Sequence, residues 1–256
     1  MRMNFPLIHN IHYTWTGWPT PDISFPPEPD AAFFASLVLL WAKDGLELVS
    51  REWKQNLLHM SFRAEPGVSP VFCASRVKGR LQHALRAKGL PNAFSRKVSV
   101  RALGINVSDI VTRYLRNQTV HADYADPRYL RQFSDAAEED ASLDLSQPIE
   151  TGSGRYWYNL HMVLVTENRV KIGKEDFLPK IPAAVEKWAS GSGCAVKSVA
   201  VMPEHIHLLF RGAPDKSPAE LAESCWSILN RGAGCRLYSD RIYIGTCSEY
   251  TLRAVL

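Results

Sequence analysis

The sequence has no apolar run approaching the roughly 20 residues that cross a bilayer, so it predicts no membrane-spanning helix. Its first residues, Met1-Arg2-Met3-Asn4-Phe5-Pro6, lack the short apolar segment and small-residue cleavage site of a signal peptide. Cysteine is scarce: Cys73, Cys194, Cys225, Cys235 and Cys247 are five in number and include no Cys-x-x-Cys pair. That excludes a zinc ribbon and a disulfide scaffold, and predicts reduced thiols in a cytoplasmic protein. Charge of one sign is nearly missing. Thirty Lys and Arg stand against 26 Asp and Glu, for a net +4 and a pI near 8.8. Such a balance permits an anionic partner without demanding one. What is present is core material: 46% of the 256 residues are hydrophobic and 22% charged. That suits one large domain or two of ordinary size.

One stretch organises the rest, Val199-Ala200-Val201-Met202-Pro203-Glu204-His205-Ile206-His207-Leu208-Leu209-Phe210. In a strand, residues i and i+2 share a face, so His205 and His207 present two imidazoles side by side, with Ile206 and Leu208 turned to the core. Neutral imidazoles suit a divalent metal, although a metal needs at least one further ligand. From spacing alone, two histidines on a half-exposed strand is the plainer reading.

Taken in order, Asn10 to Thr16 reads as a strand, rich in β-formers. A proline-rich loop follows from Pro19 to Pro29. Asp30 then caps a helix whose apolar face includes Phe33, Phe34, Leu37, Leu40 and Trp41, and Gly45 ends it. Residues 46–53 and 57–62 read as strands. Ser69-Pro70 opens a second helix, with serine as cap and proline in the first turn. It carries Arg76, Lys78, Arg80 and Arg86. A turn at Gly89-Leu90-Pro91 leads to a strand over 97–103, and Ser108-Asp109 starts a third helix running to about Thr119. In that helix Tyr114 and Gln118 lie four apart, on one face. Tyr114 by itself reads more readily as an amphipathic surface tyrosine.

The second half repeats this order. Asn10-Ile11-His12 matches Asn159-Leu160-His161, and Trp41-Ala42 matches Trp188-Ala189. His59-Met60-Ser61-Phe62-Arg63 matches His207-Leu208-Leu209-Phe210-Arg211, and Ser69-Pro70 matches Ser217-Pro218, all roughly 148 residues apart. The expectation is two copies of one α+β domain, 1–133 and 155–256, joined by a polar, acidic linker over 134–154. The copies differ in complementary ways. Leu57 stands in the first where His205 stands in the second, so the first histidine pair is broken and His59 reads as structural. The tyrosine helix occurs only in the first copy, because the sequence stops at Leu256, about where its counterpart would come.

Met202-Pro203-Glu204-His205-Ile206-His207-Leu208-Leu209 resembles the signature of the single-tyrosine HUH transposases, the small enzymes of simple insertion sequences and their REP-associated relatives. Tyr114-x-x-x-Gln118 resembles that family's YxxxQ motif, and Arg76-Val77-Lys78-Gly79-Arg80 a Lys-Gly-Arg segment of REP-associated members. The resemblance implies two tandem ferredoxin-like, RRM-like domains, with antiparallel sheets and helices on one face. It implies a metal-dependent single-stranded DNA endonuclease and strand transferase. On that resemblance Tyr114 would be the nucleophile, and His205, His207 and Gln118 would hold Mg²⁺ or Mn²⁺. Arg76, Lys78, Arg80 and Arg86 would contact single-stranded or hairpin DNA, or simply form a solvated helix face. In dimeric members one subunit's tyrosine helix completes the other's metal site. The chain thus resembles a fused pseudo-dimer, acting as a monomer or a homodimer. The alternative is a domesticated, non-cleaving protein that binds DNA hairpins. A phosphoesterase with paired His-x-Ser/Thr motifs fits only at His59-Met60-Ser61, and a histidine-triad hydrolase lacks its third histidine at Leu209. His12, His121 and His161 read as structural or surface residues, and Trp15 and Trp18 as core residues or base-stacking platforms.

Overall fold

A computed structural model describes residues 6–90, 92–105, 107–121, 127–172 and 178–251. The fold is mixed α+β, with two six-stranded sheets and six α-helices among these residues. In the first half β1 (Ile8–Asn10), β2 (His12–Pro19), α1 (Ala31–Lys43), β3 (Leu46–Trp53), β4 (Leu58–Ala64), α2 (Pro70–Ala87) and β5 (Phe94–Leu103) follow one another. Then come α3 (Ser108–His121) and α4 (Pro127–Asp135), and the short strands β6 (Glu138–Glu139) and β7 (Ile149–Glu150). The second half runs β8 (Gly154–Trp157), β9 (Asn159–Thr166), α5 (Lys180–Ser192), β10 (Ala195–Val201), β11 (His205–Arg211), α6 (Pro218–Ala233) and β12 (Tyr238–Cys247).

The helix boundaries follow from side-chain caps. Asp30 accepts from the Phe33 amide and Ser69 from the Phe72 amide. Ser217 and Glu220 form a full capping box at the start of α6. Gly45 takes a φ of +76° just past α1, where the chain must turn back, and a side chain would be strained there.

Each sheet borrows a strand from the other half. The order β1-β12-β9-β11-β10-β6 puts β1 parallel to β12. The order β3-β4-β2-β5-β8-β7 puts β8 parallel to β5. Other contacts between the halves are reciprocal too. The Val71 amide donates to the Pro214 carbonyl, and the Ala219 amide to that of Pro66. Gly104 bridges Thr251, and Val107 bridges Ser248. Tyr13 and Tyr158 meet at 6.2 Å in a core continuous across both halves.

The pairing also corrects the match between the two first strands. His12 lies opposite Arg63 as Asn159 lies opposite Arg211. His12 therefore corresponds to Asn159, and His161 to Thr14, two residues away from the sequence match. Repeated polar residues on alternating positions produced that slip, because period-2 strands look alike when shifted by two.

The acidic stretch 134–154, expected as a linker, makes contacts with both sheets. Glu139 pairs with Arg116, and the Val98 amide donates to the Ser153 carbonyl. β6 pairs with β10 and β7 with β8. The Asn159 amide and Trp157 indole donate to the carbonyls of Leu145 and Ser146. Two-residue strands carry too little alternation to be read from sequence. Trp15 is fully buried, so it belongs to the core and is no stacking platform, while Trp18 is 40% exposed.

Gly154 marks a close approach. A Cβ there would come within 2.4 Å of the Val98 carbonyl oxygen, which is backbone and cannot yield. Gly154→Ala is expected to cost about 1–3 kcal/mol, through local loss of the β5–β8 pairing. Urea unfolding of the two proteins side by side checks it; equal midpoints would mean that the pairing is slack.

Candidate active site

α1 and α2 pack on the sheet of β3, β4, β2 and β5, and α5 and α6 on the sheet of β12, β9, β11 and β10. The two faces of β11 go to different partners. Ile206, Leu208 and Phe210 enter the main core. Leu209 points the other way, with His205 and His207, and α3 covers it. Val111 and Leu115 of α3, four apart, form a small buried cluster with Leu209, Ala200, Cys247 and Leu145. Burial of two such side chains is worth roughly 1.5–3 kcal/mol each, enough to hold a helix in place. The Arg116 guanidinium adds a bidentate pair with Glu139 of β6. α3 therefore belongs to the first half by sequence and rests on the second half's sheet.

That docking brings Tyr114 to the histidines. Val111 and Leu115 define the seated stripe, and Tyr114 and Gln118 flank it at helical spacing. The Tyr114 ring meets the His207 ring nearly edge-on, with centroids 5.5 Å apart and planes at 84°. Tyr114 stays 46% exposed, open to a ligand. Gln118 is half-buried one turn further on. The His205 and His207 rings lie 4.8 Å apart at 79°.

A third imidazole completes the group. His161 of β9 stacks on His207 with planes 10° apart, and its Nε2 lies 3.0 Å from His207 Nδ1. By sequence His161 reads only as a structural or surface residue, and the structure seats it, largely buried, against His207. Its signal was weak, because the contact is diagonal between β9 and β11 and depends on register. Tyr243 of β12 packs against His161, with ring centroids 5.8 Å apart. In the first half, His59, which the sequence matches to His207, is differently held: its Nδ1 lies 2.8 Å from the Thr16 hydroxyl.

Burial, the main effect, lowers the pKa of His207 to about 3, helped by the neighbouring His161 and His205. Burial also lowers His161 to about 4 and His205 below the usual histidine value. All three are neutral at pH 7, so each keeps a lone pair, as a metal ligand must. His207 Nε2 is buried and has no hydrogen-bond partner among the described residues. Among the described residues, no group of three or more His, Cys, Asp or Glu side chains is arranged for a metal ion. A cation would therefore use the histidine pair and a donor of another kind, such as the Gln118 amide. Glu204 is tied to Arg169 at 2.6 Å, away from this task.

The cations of α2 sit elsewhere, beside a groove of about 970 Å³ between α1 and α2. Arg80 makes a forked pair with Asp44, and Arg76 approaches the same carboxylate at 3.7 Å. The Lys78 ammonium donates to the carbonyls of Ser95 and Arg96 and ties α2 to β5. Arg86 is exposed. Lys78 and Arg80 thus hold the first half together, a use that sequence spacing cannot reveal.

No helix among the described residues is long and apolar enough to cross a membrane. No curated protein matches the chain. Among solved structures, the ligand-free regulatory subunit of aspartate kinase from Thermus thermophilus is 10% identical, with 87% of this chain and 93% of that one covered and a TM-score of 0.20. A bacterial light-regulated adenylyl cyclase is 7% identical, with 92% and 72% covered and the same TM-score, 0.20. At such scores neither likeness bears on fold or function. The part of the chain that carries all three histidines, residues 155–255, matches the family described as "Transposase IS200 like".

Proposed function

We propose that the protein is a transposase-type enzyme that nicks and rejoins single-stranded DNA through a phosphotyrosine. The observation that carries this reading is the Tyr114 ring against His207, a phenol from one half beside the histidine pair of the other. The family match over 155–255 supports it independently of Tyr114, which lies outside the matched residues.

Tyr114 Oη attacks the scissile phosphorus; an Oη–P bond forms and the P–O3′ bond breaks. The phenol's proton ends, through solvent, on the departing 3′ oxygen. The product is a 5′-phosphotyrosine and a free 3′-hydroxyl, and attack by a 3′-hydroxyl on that link reverses the step. The phosphodiester energy is kept in the covalent link, so no nucleotide is consumed. His205, His207 and the Gln118 amide would hold Mg²⁺ or Mn²⁺. When bound, the ion neutralises charge on a nonbridging phosphate oxygen. The buried stripe of α3 holds the phenol on the histidine face and limits its motion before attack.

The repeated element order and the reciprocal contacts support a tandem pseudo-dimer that retains one composite site. The test is direct. The full chain, incubated with Mn²⁺ and single-stranded oligonucleotides containing hairpins, should form a denaturation-resistant protein–DNA adduct. Retained binding with no adduct on any substrate would favour the hairpin-binding alternative.

For α2 the proposal is DNA contact through its exposed cations, Arg76 and Arg86. Each phosphate contact on single strands contributes about 0.7 to the slope of log affinity against log salt. Arg86→Ala is expected to weaken oligonucleotide binding and reduce that slope by about this amount. An unchanged slope, measured by fluorescence anisotropy from 50 to 200 mM salt (a range of about fourfold), would move the DNA path off α2.

A further inference from the structure

His161 is the one member of the histidine cluster that the reading above leaves without work. It is 3.0 Å from His207 through Nε2 and Nδ1, and the rings are nearly parallel. A hydrogen bond between two neutral imidazoles needs one nitrogen to give a proton and the other to accept it. Two arrangements exist. If His161 donates, the proton of His207 sits on Nε2, buried with no acceptor among the described residues. If His207 donates from Nδ1, its Nε2 carries a buried lone pair with no partner among the described residues, on the ring that Tyr114 meets edge-on.

We propose that His161 is a positioning residue. It accepts the His207 Nδ1 proton, fixes that ring's tautomer and orientation, and thereby aims the Nε2 lone pair at a divalent cation. A ligating histidine ordinarily donates its other N–H to such an outer partner, commonly a carboxylate, carbonyl or water. Here a second imidazole takes that place. The support behind His161 is built in. Tyr243 packs on its ring at 5.8 Å, and the Tyr243 phenol lies across Gly245, where a Cβ would come within 2.5 Å of the hydroxyl. Gly245 is paired with His161 in the sheet, so the bare glycine makes room for the brace. The broken half lacks this device. His59 meets a threonine hydroxyl, which can give or accept a proton and so selects no tautomer.

The inference rests on the metal reading above, and its test separates the two. In the ¹⁵N-labelled full chain without metal, long-range ¹H–¹⁵N NMR should find the His207 proton on Nδ1. His161→Leu should move it mainly to Nε2. In calorimetric titration with Mn²⁺, His161→Leu should bind about 10–100-fold more weakly than the parent. His161→Gln, whose side-chain oxygen can accept the same proton, should restore most of that loss. Finding the proton on Nε2 in the parent protein overturns the proposal, and so does undiminished Mn²⁺ affinity in His161→Leu. A parent chain that binds no Mn²⁺ would sink the metal reading. The metal-free tautomer would still decide whether His161 orients His207.

Discussion

Tyr114→Phe is expected to abolish covalent capture of DNA and lower strand cleavage by at least about three orders of magnitude. The substitution removes one oxygen and leaves the ring, so the edge-on contact with His207 persists and the fold should not change. Val111 and Leu115, which seat α3, are untouched. Oligonucleotide binding should therefore stay within a few-fold of the parent, and the loss should fall on chemistry alone. The assay is gel separation of the denatured adduct together with product strands. Full adduct formation by the phenylalanine protein would assign the nucleophile elsewhere. Tyr250 would then be the first alternative to test, since it is 53% exposed and its ring lies near Arg101.

Removing the histidine pair should have the next largest effect. His207→Ala takes away an imidazole whose Nε2 is buried without a partner among the described residues, and His205→Ala takes away its neighbour. Charge neutralisation at a transferring phosphate is worth several kcal/mol, so about a 10³-fold loss of cleavage is expected from either. Weaker Mn²⁺ binding should accompany it. Mixing adds a test of architecture. Tyr114 and His207 of one chain already lie together, so an equimolar mixture of Tyr114→Phe and His205→Ala chains should remain inactive. Recovery of activity in the mixture would mean that the working site is assembled between two chains.

Part of this arrangement is legible in the sequence. The alternation around His205 and His207 placed both imidazoles on one face of a strand, and β11 carries them that way. Spacing by four put Tyr114 and Gln118 on one side of a helix, and Asp30, Ser69 and Pro70 marked two helix starts that caps explain. Each of these is a local rule. The side chain or backbone group that satisfies it lies within a few residues.

Other features depended on partners far along the chain. His161 joins His207 only because β9 and β11 pair in one register. A shift of one residue would turn His161 to the opposite face. Arg80 and Lys78 look like free cations on a basic helix, but Asp44 and two backbone carbonyls claim them. The exchange of β1 and β8 between sheets leaves no trace in hydrophobic pattern, since a short strand reads alike beside either neighbour.

The amino-acid order by itself determined most of the longer helices and strands and the side chains that are candidates for chemistry, because propensity, capping and periodicity act over one or two turns. Only the tertiary structure decided that α3 crosses to the second sheet and that a third imidazole meets the pair. Those contacts are selected by burial and by strand register between distant segments, and neither is written in any short window of the chain.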